Sequence, residues 1–354
     1  MAKNRALQAA ARAQQDEFYT QTGDIERELG YYWEHFYGKK ILCNCDDPFE
    51  SKFFEYFATR FHLPLRLAKL TATCYAGSPI AQQQISLFEE DRPAPLRTPY
   101  CATLTELRDF NGDGRTDMND AIWAMKNIPG ALRKLKGDGD FRSPECLELL
   151  EDADVVVTNP PFSLFREYVS LLVKHSKKFL ILGNKNAVTY KEIFPLFMKG
   201  KIWLGYRGMN QDLWLKVPEG REHEREKKDG TKLKHIMACW FTNLEIKKRN
   251  EMFYLCKKYT PEKYPKYDNY DAIEVSRVDD IPCDYDGVMG VPVTFMDKYC
   301  PQQFEIVGCT ESEGKGFSNG LWDASSGVAQ PLINGRRIYK RLFIRKIAEF
   351  RWHL

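Results

Sequence analysis

The sequence predicts an α/β protein with a doubly wound, largely parallel sheet and an appended, mostly β region. Three observations carry that expectation. Short β-branched runs alternate with helix-patterned segments, ligand-type residues come directly after the ends of strands, and the texture changes beyond about residue 200. Taken in order, residues 1–35 read as helical, with Ile25, Leu29, Tyr32, Trp33 and Phe36 on one stripe. A strand is expected next at KKILCNC, then a helix at ESKFFEYFATRF and a strand at LRLAKLTATCY. An irregular polar insertion is expected over about 77–137. The helix PECLELLE leads into the strand ADVVVTN, and the helix LFREYVSLLVKH into the strand KKFLILGN. Beyond that come short strand-like runs, KIWLGY, HIMACWFTNL, GVPVTF and QFEIVGC, broken by Gly, Pro and charge. A single core stops growing near about 250–300 residues, so the 354-residue chain is expected to form two domains, 1–200 and 201–354.

With 43% hydrophobic and 29% charged residues the composition is that of a soluble globular chain. No run approaches the roughly 20 apolar residues of a membrane span, and the N-terminal MAKNRALQAAARAQQ lacks the apolar core of a signal peptide. A cytoplasmic protein with no membrane partner is expected. The ten cysteines include one Cys-x-Cys, Cys43 and Cys45, and no Cys-x-x-Cys, so free thiols are expected rather than a zinc site. A net charge of +3 does not announce a polyanion binder, because such binding is carried by local patches of Lys and Arg.

The most informative stretch is DVVVTNPPFS, residues 154–163. Asn159 comes directly after a β-branched strand, so its amide sits at the carboxyl edge of the sheet, where doubly wound folds bind ligands. Pro160 and Pro161 lack N–H groups and fix φ, which stiffens the turn, and Phe162 adds a flat apolar face. The set suits a planar heterocycle bearing an exocyclic amine. The Asn159 side-chain oxygen and the Pro160 carbonyl can accept its two hydrogens while the ring stacks on Phe162. Read alone, the same residues also suit a Pro-rich turn that ends a buried strand.

In DFNGDGRTDMND, residues Asp109, Asn111, Asp113, Gly114 and Asp120 match positions 1, 3, 5, 6 and 12 of a calcium loop, with the shorter Asp where Glu is usual. Asn-Gly-Asp-Gly is equally ordinary turn chemistry, and no metal is assigned. Residues 221–263 mix Lys, Arg and Tyr in REHEREKKDGTKLKH, EIKKRNE and CKKYTPEKYPKY, which fits both phosphate contact and a solvated charged surface. The C-terminal NGRRIYKRLFIRK fits a strand flanking a nucleic-acid cleft or an edge strand.

NPPF has the form of the amino-methyltransferase motif of adenine-N6 enzymes. With GDGDFRSPECLELLEDADVVVTNPPFSLFREYV, GNKNAVTYKEIF and the opening DEFYTQ, the chain resembles the EcoRI-type adenine-specific DNA methyltransferase family from about residue 16 to 345, including VPVTFMDKYCPQQFEIVG and GRRIYKRLFIRK. The resemblance implies a Rossmann-like catalytic domain at 1–200 and a target-recognition region at 201–354. It also implies S-adenosylmethionine as cofactor, and double-stranded DNA as partner with an adenine flipped into the site. By the same resemblance Tyr19 and Thr20 cover the methionine end of the cofactor, Asp47 and Pro48 form the acidic-Pro step after the first strand, and Asp140 and Phe141 hold the adenine end. Glu50 and Ser51 stand where a Gly-rich loop is usual, and no ribose-binding acid is evident in LTATCYAG. The family setting is bacterial or phage, where a partner restriction endonuclease would belong. RNA adenine or a protein glutamine amide could use the same turn, as could a degenerate DNA-binding relative.

Overall fold

The computed structural model describes residues 20–75, 99–211, 213–216, 224–228, 230–310, 317–318 and 330–347. In chain order its strands are β1 (Lys40–Cys43), β2 (Lys69–Thr73), β3 (Tyr100–Leu104), β4 (Leu132–Lys134), β5 (Val155–Thr158), β6 (Lys178–Asn184) and β7 (Trp203–Leu204). They continue with β8 (Leu213–Lys216), β9 (Arg225–Glu226), β10 (Lys232–Ile236), β11 (Ala238–Thr242), β12 (Ile273–Glu274) and β13 (Met289–Val291). Last come β14 (Phe304–Cys309), β15 (Phe317–Ser318), β16 (Leu332–Ile333), β17 (Arg336–Arg337) and β18 (Leu342–Lys346). The α-helices are α1 (Thr22–Leu29), α2 (Trp33–Phe36), α3 (Lys52–Ala58), α4 (Met118–Asn127), α5 (Pro144–Asp152), α6 (Phe165–Lys174) and α7 (Phe194–Met198).

The described chain forms two compact units, the first made of 20–185, Gly205–Arg207 and Gln211–Leu244. Its central sheet runs β4-β3-β2-β1-β5-β6-β11. The middle strands β2, β1, β5 and β6 are parallel, and β3, β4 and β11 extend the two sides antiparallel. β5 is buried at every position, as expected of Val-Val-Val-Thr covered on both faces. Ser51 caps α3 by accepting from the amides of Phe53 and Phe54, and Ser143 caps α5, whose first residue is Pro144. Gly183 on β6 makes room for α6: a Cβ there would lie 2.3 Å from the ring of Phe165. A second sheet, β8-β10-β9, is an antiparallel ribbon.

Two expectations need correction. The span 77–137 is not an irregular insertion throughout, because residues 99–134 build β3, α4 and β4 and widen the sheet, while 76–98 fall outside the described residues. Within HIMACWFTNL, Ala238–Thr242 belong to the first sheet rather than the later region, since β11 pairs with β6 from Ala238↔Asn184 to Thr242↔Leu180, while His235 and Ile236 end β10. Neither error is visible in local pattern, since an antiparallel strand of the first sheet and an appended strand share one composition. The first helix is also interrupted: α1 passes through a tight turn, Gly30–Tyr32, into α2, and residues 1–19 lie outside the description.

The second unit comprises Asn186–Leu204, Gly208–Asn210 and 245–347 as described. Its five-stranded sheet runs β12-β13-β18-β14-β15. β18 pairs with β13 on one side and β14 on the other, so LFIRK is a central strand, not an edge, and Leu342, Phe343 and Ile344 are buried. A hairpin joins β16 to β17 through Asn334 and Gly335, both at positive φ, the backbone that a two-residue turn of this twist requires.

Candidate active site

The site is assembled where the parallel strands end. β1 and β5 are neighbours, with Ile41 beside Val155 and Leu42 beside Val156, so the segments after them, Asn44–Asp47 and Asn159–Phe162, emerge side by side. The Asp46 amide donates to the carbonyl of Thr73 at 3.2 Å and the Thr73 hydroxyl to the carbonyl of Asn44 at 3.0 Å, which ties in the end of β2. Asp46 itself is buried. Its carboxylate accepts from the hydroxyl of Ser51 at 2.8 Å, from the hydroxyl of Thr158, and from the backbone N–H of Asn159. Asp47 is buried beside it and accepts from the Tyr100 hydroxyl at 2.5 Å and the Phe49 amide at 2.9 Å. Burial pushes both carboxyls up to about 6, against the pull of those donors. Burial and the Asp47 charge push the Tyr100 phenol far above its ordinary value, so it stays a donor.

The expected turn residues lie together. Asn159 is partly buried with its Oδ1 fully covered, Pro160 is buried, and Pro161 and Phe162 are half-buried. The Pro161 carbonyl accepts from the Leu164 amide at 3.0 Å, which closes a short turn into α6. Phe162 therefore keeps ring surface available at the mouth of the strand.

On the other side, GDGDF folds against the end of β2. Gly139 has φ +79° and approaches so closely that a Cβ would lie 2.4 Å from the Cys74 carbonyl oxygen. Phe141 is buried and meets Tyr168 edge-on at 5.0 Å; the Tyr168 hydroxyl donates to the side chain of Asn44. Asp140 is occupied: it accepts from the Arg142 amide at 2.8 Å, Nε at 2.9 Å and Nη2 at 2.6 Å, and Arg142 also reaches Glu167. Burial raises the Asp140 carboxyl, but these bonds outweigh it and hold the group below its usual value. Pro48 is buried next to Asp47. Thr20 is buried just before α1, and Tyr19 lies outside the described residues.

Three buried polar atoms, Thr20 Oγ1, Asn44 Nδ2 and Ser163 Oγ, have no hydrogen-bond partner among the described residues. Buried polar atoms are rarely left so. Amide and hydroxyl groups of this kind, with the two buried carboxylates and the buried Phe141, are the donor, acceptor and apolar groups that S-adenosylmethionine needs for its amino acid, ribose and purine. The DFNGDGRTDMND loop spends its acids on its own backbone. Asp109 accepts from the amides of Gly112, Asp113 and Gly114, and Asp120 from those of Phe110, Asn111 and Asp117. Among the described residues no group of three His, Cys, Asp or Glu could hold a metal ion.

Reading the sequence missed Asp46, Asn44, Tyr100 and Tyr168. A signal existed for Asp46, since two acids come after the strand in CDDPF and only the one before proline was assigned. Tyr100 carried none, because its role rests on a strand formed inside the supposed insertion.

The class that this sheet and strand-end turn point to is an amino-group methyltransferase. The family described as "Adenine-specific methyltransferase EcoRI" matches residues 6–347, and the chain belongs to it. Among its relatives is the "Type II methyltransferase M.EcoRI" of Escherichia coli, 44% identical over 97% of each chain. The "Type II methyltransferase M.MpnI" of Mycoplasma pneumoniae is 36% identical over 85% of this chain and 84% of that one. M.MgeORF184P of Mycoplasma genitalium, also a Type II methyltransferase by name, is 34% identical over 95% of this chain and 97% of its own. No solved structure matches significantly.

Proposed function

We propose that the protein transfers a methyl group from S-adenosylmethionine to the N6 amine of an adenine extruded from duplex DNA at a specific site. The observation that carries this is the Asn159-Pro160-Pro161-Phe162 turn, fixed at the end of β5 by Asp46 and leaving Phe162 half-buried. An adenine inside a duplex cannot reach such a pocket, so the base must leave the stack. Its amino lone pair is delocalised into the ring and is a poor nucleophile. Asn159 Oδ1 and the Pro160 carbonyl accept the two amino hydrogens and draw the lone pair out of the ring plane, an interaction that strengthens as positive charge develops on nitrogen. Bound S-adenosylmethionine supplies an electrophilic methyl group on sulfur. In this reading Thr20, Asn44, Asp47 and Pro48 line its amino acid and ribose, while Phe141 and Asp140 with Arg142 form the wall at its adenine. Tyr19, next to Thr20 in sequence, belongs to the same covering segment.

At the scale of domains, the first unit, which carries the ribbon β8-β10-β9, is a Rossmann-like catalytic domain and the second reads the target. Exposed Lys257, Lys258 and Tyr254 suit phosphate contact and stacking. No described helix is long and apolar enough to cross a membrane. In this reading the enzyme is cytoplasmic and acts beside a partner endonuclease, as its family setting implies.

The test separates chemistry from binding. Asn159→Ala should lower kcat by roughly 10² or more with DNA affinity little changed, as for other single groups aimed at developing charge. Phe162→Ala should instead weaken extrusion, since base stacking is worth about 1–3 kcal/mol. A 2-aminopurine at the target position should brighten less with it than with the parent. Methylation of duplex DNA by Asn159→Ala at the parent rate would sink the proposal.

A further inference from the structure

We infer that Asp46 is a positioning residue for methyl transfer: as a carboxylate it holds Asn159 and Thr158 in the geometry the reaction needs, and protonation weakens that hold. This rests on the role proposed for Asn159 and adds a pH dependence to it.

Three donors converge on one buried acid. Asp46 is only 8% exposed and receives hydrogen bonds from Ser51 Oγ, Thr158 Oγ1 and the Asn159 N–H. Two of the three come from adjacent residues at the end of β5, so one carboxylate sets both the direction of the strand's last side chain and the peptide plane that orients Asn159. Pro160 and Pro161 stiffen the turn but have no N–H with which to anchor it. The N–H that ties the turn to the end of β1 is therefore the one before the prolines, that of Asn159. An ionised carboxylate is acceptor-only, which matches three incoming donors; a protonated one must place its own O–H on a partner, so one hydroxyl bond is reversed and the charge that strengthens the other two is gone.

The titration falls in a useful range. Burial raises the Asp46 carboxyl to about 6, with the Asp47 charge adding to the rise and the three donors opposing it. The other titratable groups coupled to it are Cys43 on β1 and Tyr168 on α6, both pushed well above their ordinary values and so uncharged near neutrality, with Cys45 nearby. None of these groups is a cation, and it is the hydrogen bonds from Thr158, Ser51 and Asn159 that oppose the effect of burial. Because the folded-state value lies above the unfolded one, ionising Asp46 works against folding, and the protein is less stable, as far as this group goes, above about pH 6 than below it. What sets this buried carboxyl apart is geometric: two of its three donors belong to Thr158 and Asn159, the residues that lead into the turn proposed to hold the adenine amine.

The experiment compares full-length parent, Asp46→Asn and Thr158→Val under saturating DNA and S-adenosylmethionine across pH 5 to 9, with melting temperatures and cofactor titration calorimetry alongside. The parent's kcat should fall on an acid limb near the value of about 6. Asp46→Asn should fold, melt no lower than the parent at pH 7.5, bind cofactor within about threefold, lose about tenfold or more in kcat, and show no acid limb. Thr158→Val keeps the carboxylate but removes a donor to its charged form, so its limb should move to higher pH. Parent-like kcat with an unchanged limb in Asp46→Asn overturns the inference, as does lost cofactor binding with intact kcat, which would make Asp46 a cofactor ligand. Should Asp46→Asn fail to fold, an unmoved limb in Thr158→Val overturns it as well. Asn159→Ala distinguishes the two levels: if it is slow while Asp46→Asn is not, only this inference falls, and if it is fast the reading of the turn falls first.

Discussion

Asp47 and Tyr100 stand 53 positions apart in the chain and meet as carboxylate and phenol at 2.5 Å. In the proposed function Asp47 faces the cofactor, and its acceptor strength depends on ionisation. With the carboxyl raised to about 6 by burial, cofactor affinity should weaken as pH falls through that value, measured by calorimetry between pH 5 and 8. Tyr100→Phe removes a donor that favours the ionised form, so the midpoint should move upward; an unmoved midpoint would take Asp47 out of the cofactor site. By the same linkage Asp47→Asn should melt no lower than the parent at neutral pH, because the raised carboxyl opposes folding once ionised. At this scale the sequence was readable where the residues of the proposed site are neighbours in the chain. Asn159, Pro160, Pro161 and Phe162 are consecutive, and their chemistry derives from the strand before them. Asp46 with Thr158, or Asp47 with Tyr100, are pairs made by strand order, which composition does not encode. Asp140 shows the reverse: an acid in a Gly-rich turn was legible, but its engagement by Arg142 was not.

Helix α1 shows how an element is held for reasons that its amphipathic stripe does not show. Ile25 and Leu29 face the core as the 3.6-residue period requires, yet Glu28 between them is also fully buried. Its carboxylate accepts from the amides of Tyr206 at 2.7 Å and Arg207 at 2.8 Å and from the Tyr32 hydroxyl at 2.9 Å, while Tyr31 stacks on Tyr206. Gly205 is packed so tightly that a Cβ would lie 2.2 Å from Glu28 Oε1. Glu28→Ala would strip these amides of their acceptor and should cost about 2 kcal/mol or more in denaturant unfolding. Gly205→Ala should cost about 1–3 kcal/mol by overpacking. If both unfold like the parent, the clamp contributes nothing. The loop before α4 makes the opposite case. Its acids accept backbone amides, and Asp117 with Asp120 forms a capping box on the helix. Removing divalent cations with EDTA should leave both melting and methylation unchanged, whereas Asp117→Ala should cost about 1 kcal/mol as a lost cap. A chelator-induced drop in melting temperature, restored by calcium, would reverse this reading. The spacing of those acids fits both calcium binding and turn formation, because each asks for short carboxylates near glycine.

For the whole molecule, the alternation of strand and helix made the first sheet's parallel centre legible, since that architecture repeats along the chain. The division near residue 200 is coarser than the fold: Asn186–Leu204 and Gly208–Asn210 belong to the second unit, and Gly205–Arg207 and Gln211–Leu244 to the first. A chain that changes unit several times leaves no linker for composition to mark. Nor did basic residues reveal their own state. Arg341 is paired with the buried Glu274, and the exposed Arg345 forms a surface ion pair with Glu305; Lys257, Lys258, Arg336 and Arg337 are exposed. If the exposed set contacts phosphates, log affinity for duplex DNA should fall linearly with log salt. Replacing Lys257 and Lys258 together should then flatten that slope by up to about 2, against no change for Arg345→Ala. An unaltered slope in the double variant would move the DNA surface elsewhere.

The cysteines also bear on how this protein can be handled. All ten are free; seven are buried, Cys45 and Cys283 are partly covered, and Cys256 is the exposed one. Desolvation lifts the thiols of Cys43 and Cys74, the latter to about 12, which keeps them from the thiolate form that alkylating reagents attack. A maleimide dye should therefore couple first at Cys256, beside the exposed Tyr254, Lys257 and Lys258, with no engineered variant required. The native chain thus carries its own labelling position on the surface assigned to DNA, ready for single-molecule recording of arrival and departure on a target duplex.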